Sequence, residues 1–118
     1  MSIDLHAEWV NGTLTREQVQ AEVYRLANSL TVGGGHGDYK EYTLSQILSD
    51  KDLQHIGYCL HKLYLWYRGV ESVGPFLQAI IDNDLTAAYR KADSANWIGL
   101  SIYLNYLHNE APATWRSR

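Results

Sequence analysis

Apolar residues recur at helical spacing along most of this chain. Val19, Val23, Leu26 and Leu30 fall on one stripe with polar residues between them, which predicts a helix over about residues 16–30. Its start is written in Leu14-Thr15-Arg16-Glu17-Gln18-Val19. Thr15 is the N-cap and Gln18 the third helical residue, so hydroxyl and amide each satisfy a backbone donor left over at the helix end, and Leu14 staples against Val19. The same grammar recurs at Thr43 and Gln46, with Tyr42 and Ile47 as the staple, and more weakly at Ser49 and Asp52. These signals predict a short helix over 44–48 and a long one over about 50–68, closed by Gly69. The long helix carries Leu53, Ile56, Leu60, Leu63 and Tyr67 on one stripe and Tyr58, Cys59, Leu65 and Trp66 on its other sides. A helix apolar nearly all round is buried among others.

Between the first two helices, residues 33–37 hold four glycines, which have no preferred conformation, so a connecting loop is expected over 31–41. Pro75 fits a first helical turn, and Phe76, Leu77, Ile80 and Ile81 give a short helix closed by Asp82-Asn83-Asp84. Leu85, Ala88, Tyr89 and Ala92 predict another. A last helix over about 96–108 carries Trp97, Leu100, Leu104 and Leu107 on one stripe, with Ile98 and Ile102 beside it, and is capped by Asp93 or Ser94. The first dozen residues leave two readings open, because Asn11-Gly12 suits a hairpin turn or a helix C-cap. The pattern predicts an all-α fold: a compact bundle of about five helices around the buried 50–68 helix. Its parts are an N-terminal arm or short helix over 1–14, a single helical domain over 15–112, and a loose tail over 113–118 unless Trp115 docks.

Composition adjusts that picture. A chain of 118 residues is one domain and buries about two thirds of its unfolded surface. No apolar run approaches the ~20 residues that span a bilayer, so no membrane partner is expected. Residues 1–8 show no basic region followed by an apolar stretch, so no secretory signal is expected, and the single Cys59 has no disulfide partner. A reducing cytoplasm fits best. Thirteen acids against ten bases leave a net charge of −3, and the bases are dispersed, which makes nucleic acid an unfavoured partner. Nine Tyr and four Trp stand against one Phe. Tyr and Trp combine apolar area with a polar tip, which suits either a small core with wet edges or a contact surface.

The candidate chemistry is sparse. The Gly-rich segment lacks the following Lys-Ser or Lys-Thr and the preceding strand that a phosphate loop needs. His55 and Cys59 are spaced i, i+4 and share a helix face, which makes them weak metal-ligand candidates; further ligands would have to come from His6, His36, Asp38 or His108. The same pair also evokes a thiol nucleophile, but a mid-helix Cys among apolar residues packs as a small hydrophobe. Asp82, Asp84 and Asp93 are explained as turn and cap residues. No cofactor is expected and no catalytic residue is assigned.

One stretch carries a resemblance. Gly74-Pro75-Phe76-Leu77-Gln78-Ala79-Ile80-Ile81-Asp82-Asn83-Asp84-Leu85, then Ala92-Asp93, Asn96, Tyr106-Leu107, Asn109 and Ala111-Pro112, resembles a family of short, uncharacterised bacteriophage and prophage proteins. Their pattern reads G-x-F-L-x-A, N-D-L, A-D-x-x-N and N-x-x-P; many end in Trp-Gly-Ser, where this chain has Trp115-Arg116-Ser117. The match covers about a third of the chain and implies origin more than mechanism, since the family carries no assigned activity. The reading that follows is a non-enzymatic accessory protein of a phage or mobile element that binds a host or phage protein complex. Its sharpest form is inhibition of a bacterial defence complex such as a CRISPR effector. Partner-binding candidates are Tyr89, Arg90, Lys91, Asp82, Asn83, Asp84, Trp66 and Trp115. A homodimer would use the same exposed rings. The alternatives are a nucleic-acid-binding regulator using Arg90-Lys91 with Arg68 and Lys62, and, last, a metal- or His-dependent enzyme.

Overall fold

The computed structural model describes residues 5–33, 41–93, 96 and 98–117. Seven α-helices appear among them: α1 (Leu5–Asn11), α2 (Arg16–Ser29), α3 (Leu44–Ile47), α4 (Asp50–Tyr67), α5 (Pro75–Ile81), α6 (Leu85–Lys91) and α7 (Leu100–Glu110). The protein is an all-α bundle built on α4, as the apolar pattern predicts. The helix starts are where the capping grammar puts them. Gln18 Oε1 accepts from the Thr15 backbone N–H at 2.8 Å while Thr15 Oγ1 accepts from Gln18 N–H at 3.2 Å. Ser49 and Asp52 make the same reciprocal pair, both bonds at 3.1 Å. At α3, Gln46 Oε1 accepts from Thr43 N–H at 2.9 Å.

The helix ends follow one rule. Gly12 and Gly69 take positive φ values of 74° and 78° after α1 and α4, and Asn83 does so at 56° after α5. In each case the N–H of the residue after the left-handed one returns to a carbonyl in the helix's last turn: Thr13 to Glu8, Val70 to Leu65 and Asp84 to Ala79. Asn11-Gly12 is therefore a helix C-cap, not a hairpin turn. The segment expected as loop departs from expectation at both ends. Thr31–Gly33 (β1) and Glu41–Thr43 (β2) pair antiparallel, Thr31 with Thr43 and Val32 with Tyr42. α2 and α3 place these ends side by side, where β-branched and aromatic residues make a short ladder. The glycines from Gly34 to Gly37, with His36 and Asp38, lie outside the described residues, as do Ser94 and Trp97.

The core is tied together by aromatic rings. Trp9 is fully buried, with Tyr64 at 5.3 Å between ring centroids, Tyr67 at 5.5 Å, Tyr106 at 6.3 Å and Trp115 at 6.4 Å. The indole Nε1–H donates to Tyr106 Oη at 2.9 Å. Residues 5–14 are thus part of the domain, and the tail docks: Trp115 starts a 3₁₀ turn (Trp115–Ser117), is buried, and meets Trp66 edge-on at 6.4 Å. The last helix is rotated from expectation. Ile102, Tyr103, Tyr106 and Leu107 face the core, while Leu104 is exposed. Tyr103 and Tyr106 displace the leucine stripe because each hydroxyl has a buried partner, Asn96 Oδ1 at 2.6 Å and the Trp9 indole. In α6 only Ala88 is buried; Leu85 and the partner-binding candidate Tyr89, from the apolar set that predicted this helix, face outward.

Two stability predictions follow from this core. Tyr106→Phe strands the Trp9 indole N–H without an acceptor, so urea unfolding should show a loss of about 1–3 kcal/mol. His61, half-buried and stacked on Tyr64 at 5.7 Å, has its pKa held below the ordinary 6.5 by burial, partly offset by a hydrogen bond to the Leu14 backbone. The unfolded chain therefore takes up this proton first. Stability is complete above the unfolded value and falls as pH drops below it. The urea midpoint should decline from neutral pH into this window, and His61→Gln should flatten that decline.

Candidate functional site

The central helix leaves one strip of its surface uncovered. Leu53, Ile56, Leu60 and Leu63 pack inward, and Tyr58, one position off that stripe, is 45% exposed. Around it opens a cleft of about 490 Å³. His55, Tyr58, Cys59 and Lys62 of α4 form one wall; Gly74 and the first residues of α5, Pro75 to Leu77, form the floor; Lys91, at the end of α6, and Asn96 close the far side. Phe76 and Leu77 are buried and give the floor its apolar character, and Phe76 is held edge-on by Tyr103 at 5.4 Å. The Tyr58 ring takes the Arg16 guanidinium at 5.1 Å and the Lys62 ammonium at 5.8 Å from its centroid. That is cation–π range.

A polar chain runs along the wall. Asp93 Oδ1 accepts from the Asn96 backbone N–H at 2.8 Å, which caps the turn holding Asn96. The Asn96 side chain accepts from the Tyr103 hydroxyl, which lies beside the Cys59 thiol. Burial pushes the Tyr103 phenol well up and the Cys59 thiol up. His55 Nε2 lies 3.6 Å from Cys59 Sγ and 3.7 Å from Asp93 Oδ2. This looks like a Cys-His-Asp set but is not wired as one. A catalytic relay needs one ring nitrogen on the nucleophile and the other on the orienting acid. Here a single nitrogen faces both, and the thiol is buried with a raised pKa, the opposite of an activated thiolate. Among the described residues no group of three or more His, Cys, Asp or Glu is arranged to hold a metal ion, so His55 and Cys59 gain no third ligand.

The structure sorts the remaining site candidates. Trp66 and Trp115 are corrected as contact residues: both are buried, facing one another. Asp82, Asn83 and Asp84 are exposed but have local work. Asp82 Oδ1 accepts from Gln78 Nε2 at 3.1 Å, Asn83 supplies the left-handed residue after α5, and Asp84 Oδ1 accepts from Ala87 N–H at 3.0 Å to cap α6. Tyr89, Arg90 and Lys91 lie exposed at the opposite end of α6, about 10 Å away along a seven-residue helix. Of the four bases grouped for nucleic acid, Lys62 and Lys91 both line the cleft. Arg68 instead caps the end of α4, its guanidinium packed where a side chain on Gly12 would sit. Tyr58, Pro75 and Phe76 were missed as site residues. Their signal was an aromatic residue with a base four positions on, His55 three positions back, along a helix otherwise destined for the core.

A second groove of about 420 Å³ lies between α7 and the tail, lined by Leu104, His108 and Arg116 among others. Arg116 is already engaged there, stacked on Trp115 at 4.7 Å with its Nε donating to Ile80 O at 3.3 Å. No helix of the described residues is long and apolar enough to cross a membrane. Comparison with protein-family models, with curated proteins and with solved structures returns no match.

The wiring of the wall has a direct check. Cys59 in the native chain should react with a disulfide reagent at least about tenfold more slowly than in the urea-unfolded chain at the same pH. Equal rates would mean an accessible, activated thiol.

Proposed function

We propose that this chain is a protein-binding accessory protein, in keeping with its resemblance to short phage and prophage proteins, and that it acts by occupying a surface of a host or phage complex. The observation that carries the reading is the outward face of α6. Leu85 and Tyr89, one turn apart and 48% and 54% exposed, make a stripe that a self-contained bundle would turn inward. Arg90 and Lys91 follow in the last turn of α6, and Lys91 lines the Tyr58 cleft. Exposed Tyr beside basic residues is the composition of contact patches. The polar chain around Cys59 lacks the connectivity of a nucleophile and its base. The favoured site of action is the bacterial cytoplasm, and the sharpest target class is a defence complex such as a CRISPR effector.

The reading is tested by a tagged pull-down from bacterial lysate, with and without nuclease, read by mass spectrometry. A stoichiometric protein that survives nuclease is expected. Its yield should fall with a Leu85→Asp/Tyr89→Ala variant whose unfolding midpoint is unchanged. Partners that vanish with nuclease would move the assignment to nucleic acid. Recovery of the bait alone, eluting as a dimer, would assign the stripe to a second copy of the chain.

A further inference from the structure

We propose that the cleft between α4, α5 and the end of α6 binds an acidic peptide segment in which one apolar side chain is flanked by carboxylates. The proposal rests on the protein-binding reading and gives the partner's contact a chemistry. A cleft of about 490 Å³ is the size of a small-ligand or side-chain site, far too small for a folded element. Its floor, Phe76 and Leu77 with the edge of Tyr58, takes an apolar or aromatic group. Its rim carries cations on two independent elements, Lys62 from α4 and Lys91 from α6, against one carboxylate, Asp93, which stands beside His55. The ion pairs among the described residues are Arg25–Glu22 and His55–Asp93, so neither rim lysine is held by an acid; Lys62 leans on the Tyr58 ring instead.

The chain as a whole carries −3, so this rim inverts the prevailing charge. An acidic segment is repelled over most of the molecule and drawn to this place, which supplies orientation as well as attraction. Two lysines and the apolar Phe76 and Leu77 lining one cleft match carboxylates that flank an apolar side chain. A nucleic-acid strand offers the same sign of charge but needs a run of bases along its path, and Arg68 is diverted to Gly12 at the end of α4. The contact also differs from mimicry of nucleic acid by an acidic inhibitor, because the charged surface here is basic.

The test is an amide chemical-shift titration of the isotope-labelled full chain. The probe is a heptapeptide with a central phenylalanine and two glutamates on each side. Saturable shifts are expected at residues 55–62, 74, 76, 77 and 91. The affinity should fall about tenfold or more in K62E/K91E and by a smaller factor in K62Q/K91Q, with unfolding midpoints unchanged. The proposal is overturned if a lysine-substituted peptide, or one with alanine at the centre, binds as well; if the shifts map elsewhere or are absent; or if K62E/K91E binds undiminished. Stronger shifts from free phenylacetate would make the cleft a small-molecule site, and stronger shifts from a single-stranded oligonucleotide a nucleic-acid site; either result overturns it. Repeating the pull-down with K62E/K91E separates the two readings. A partner captured at full yield by that variant refutes the cleft and leaves the protein-binding reading standing.

Discussion

The fold depends on what surrounds one indole. Trp9 enters from a seven-residue N-terminal helix and is enclosed by Tyr64 and Tyr67 of α4, Tyr106 of α7 and Trp115 of the tail. Four segments are thereby held at one point, and the hydrogen bond from Trp9 to Tyr106 spans 97 residues. Helices as short as α1 and α5 are marginal alone and persist because packing holds them. The indole N–H gives that point direction as well as area. It finds its acceptor only when α7 presents Tyr106 inward, so one hydrogen bond sets the rotation of the last helix and leaves Leu104 outside.

That rotation explains where the sequence was legible and where it was not. Helix starts were legible because Thr15 with Gln18 and Ser49 with Asp52 act over three residues, and their geometry is fixed locally. The buried character of α4 was legible because apolar residues on most sides leave little choice. The face of α7 was not, since Leu100, Leu104 and Leu107 and the set Ile102, Tyr103, Tyr106 and Leu107 are both helically spaced. Hydrophobicity favours the leucines; two tyrosine hydroxyls with buried partners decide otherwise. The short β1–β2 ladder was equally illegible, because its pairing depends on where α2 and α3 end.

The site divides along the same line. Lys91 and Tyr89 could be named from sequence as exposed residues near a helix end, and Lys62 as a base. That Lys62 and Lys91 share a cleft is a tertiary fact, since they come from α4 and from the end of α6. Trp66 and Trp115 show the converse. As large amphipathic rings they are as suited to a contact surface as to a core, and only the docking of the tail shows that they pack against each other.

The Cys59 neighbourhood shows why proximity alone is a poor guide to chemistry. Thiol, imidazole and carboxylate lie within 3.7 Å steps of one another, yet the hydrogen bonds of Asp93 and Tyr103 serve the turn after α6: Asp93 accepts from the Asn96 N–H, and the Asn96 side chain accepts from the Tyr103 hydroxyl. Each of these bonds satisfies a buried or half-buried polar group. Those bonds order the turn that carries Asn96, one of the residues lining the cleft. On the proposal that the cleft takes a peptide, walls already ordered by satisfied polar groups cost less binding energy to organise. The acidic, His- and Cys-bearing residues then read as the frame of the cleft, and the lysines with Tyr58 as its proposed contact surface.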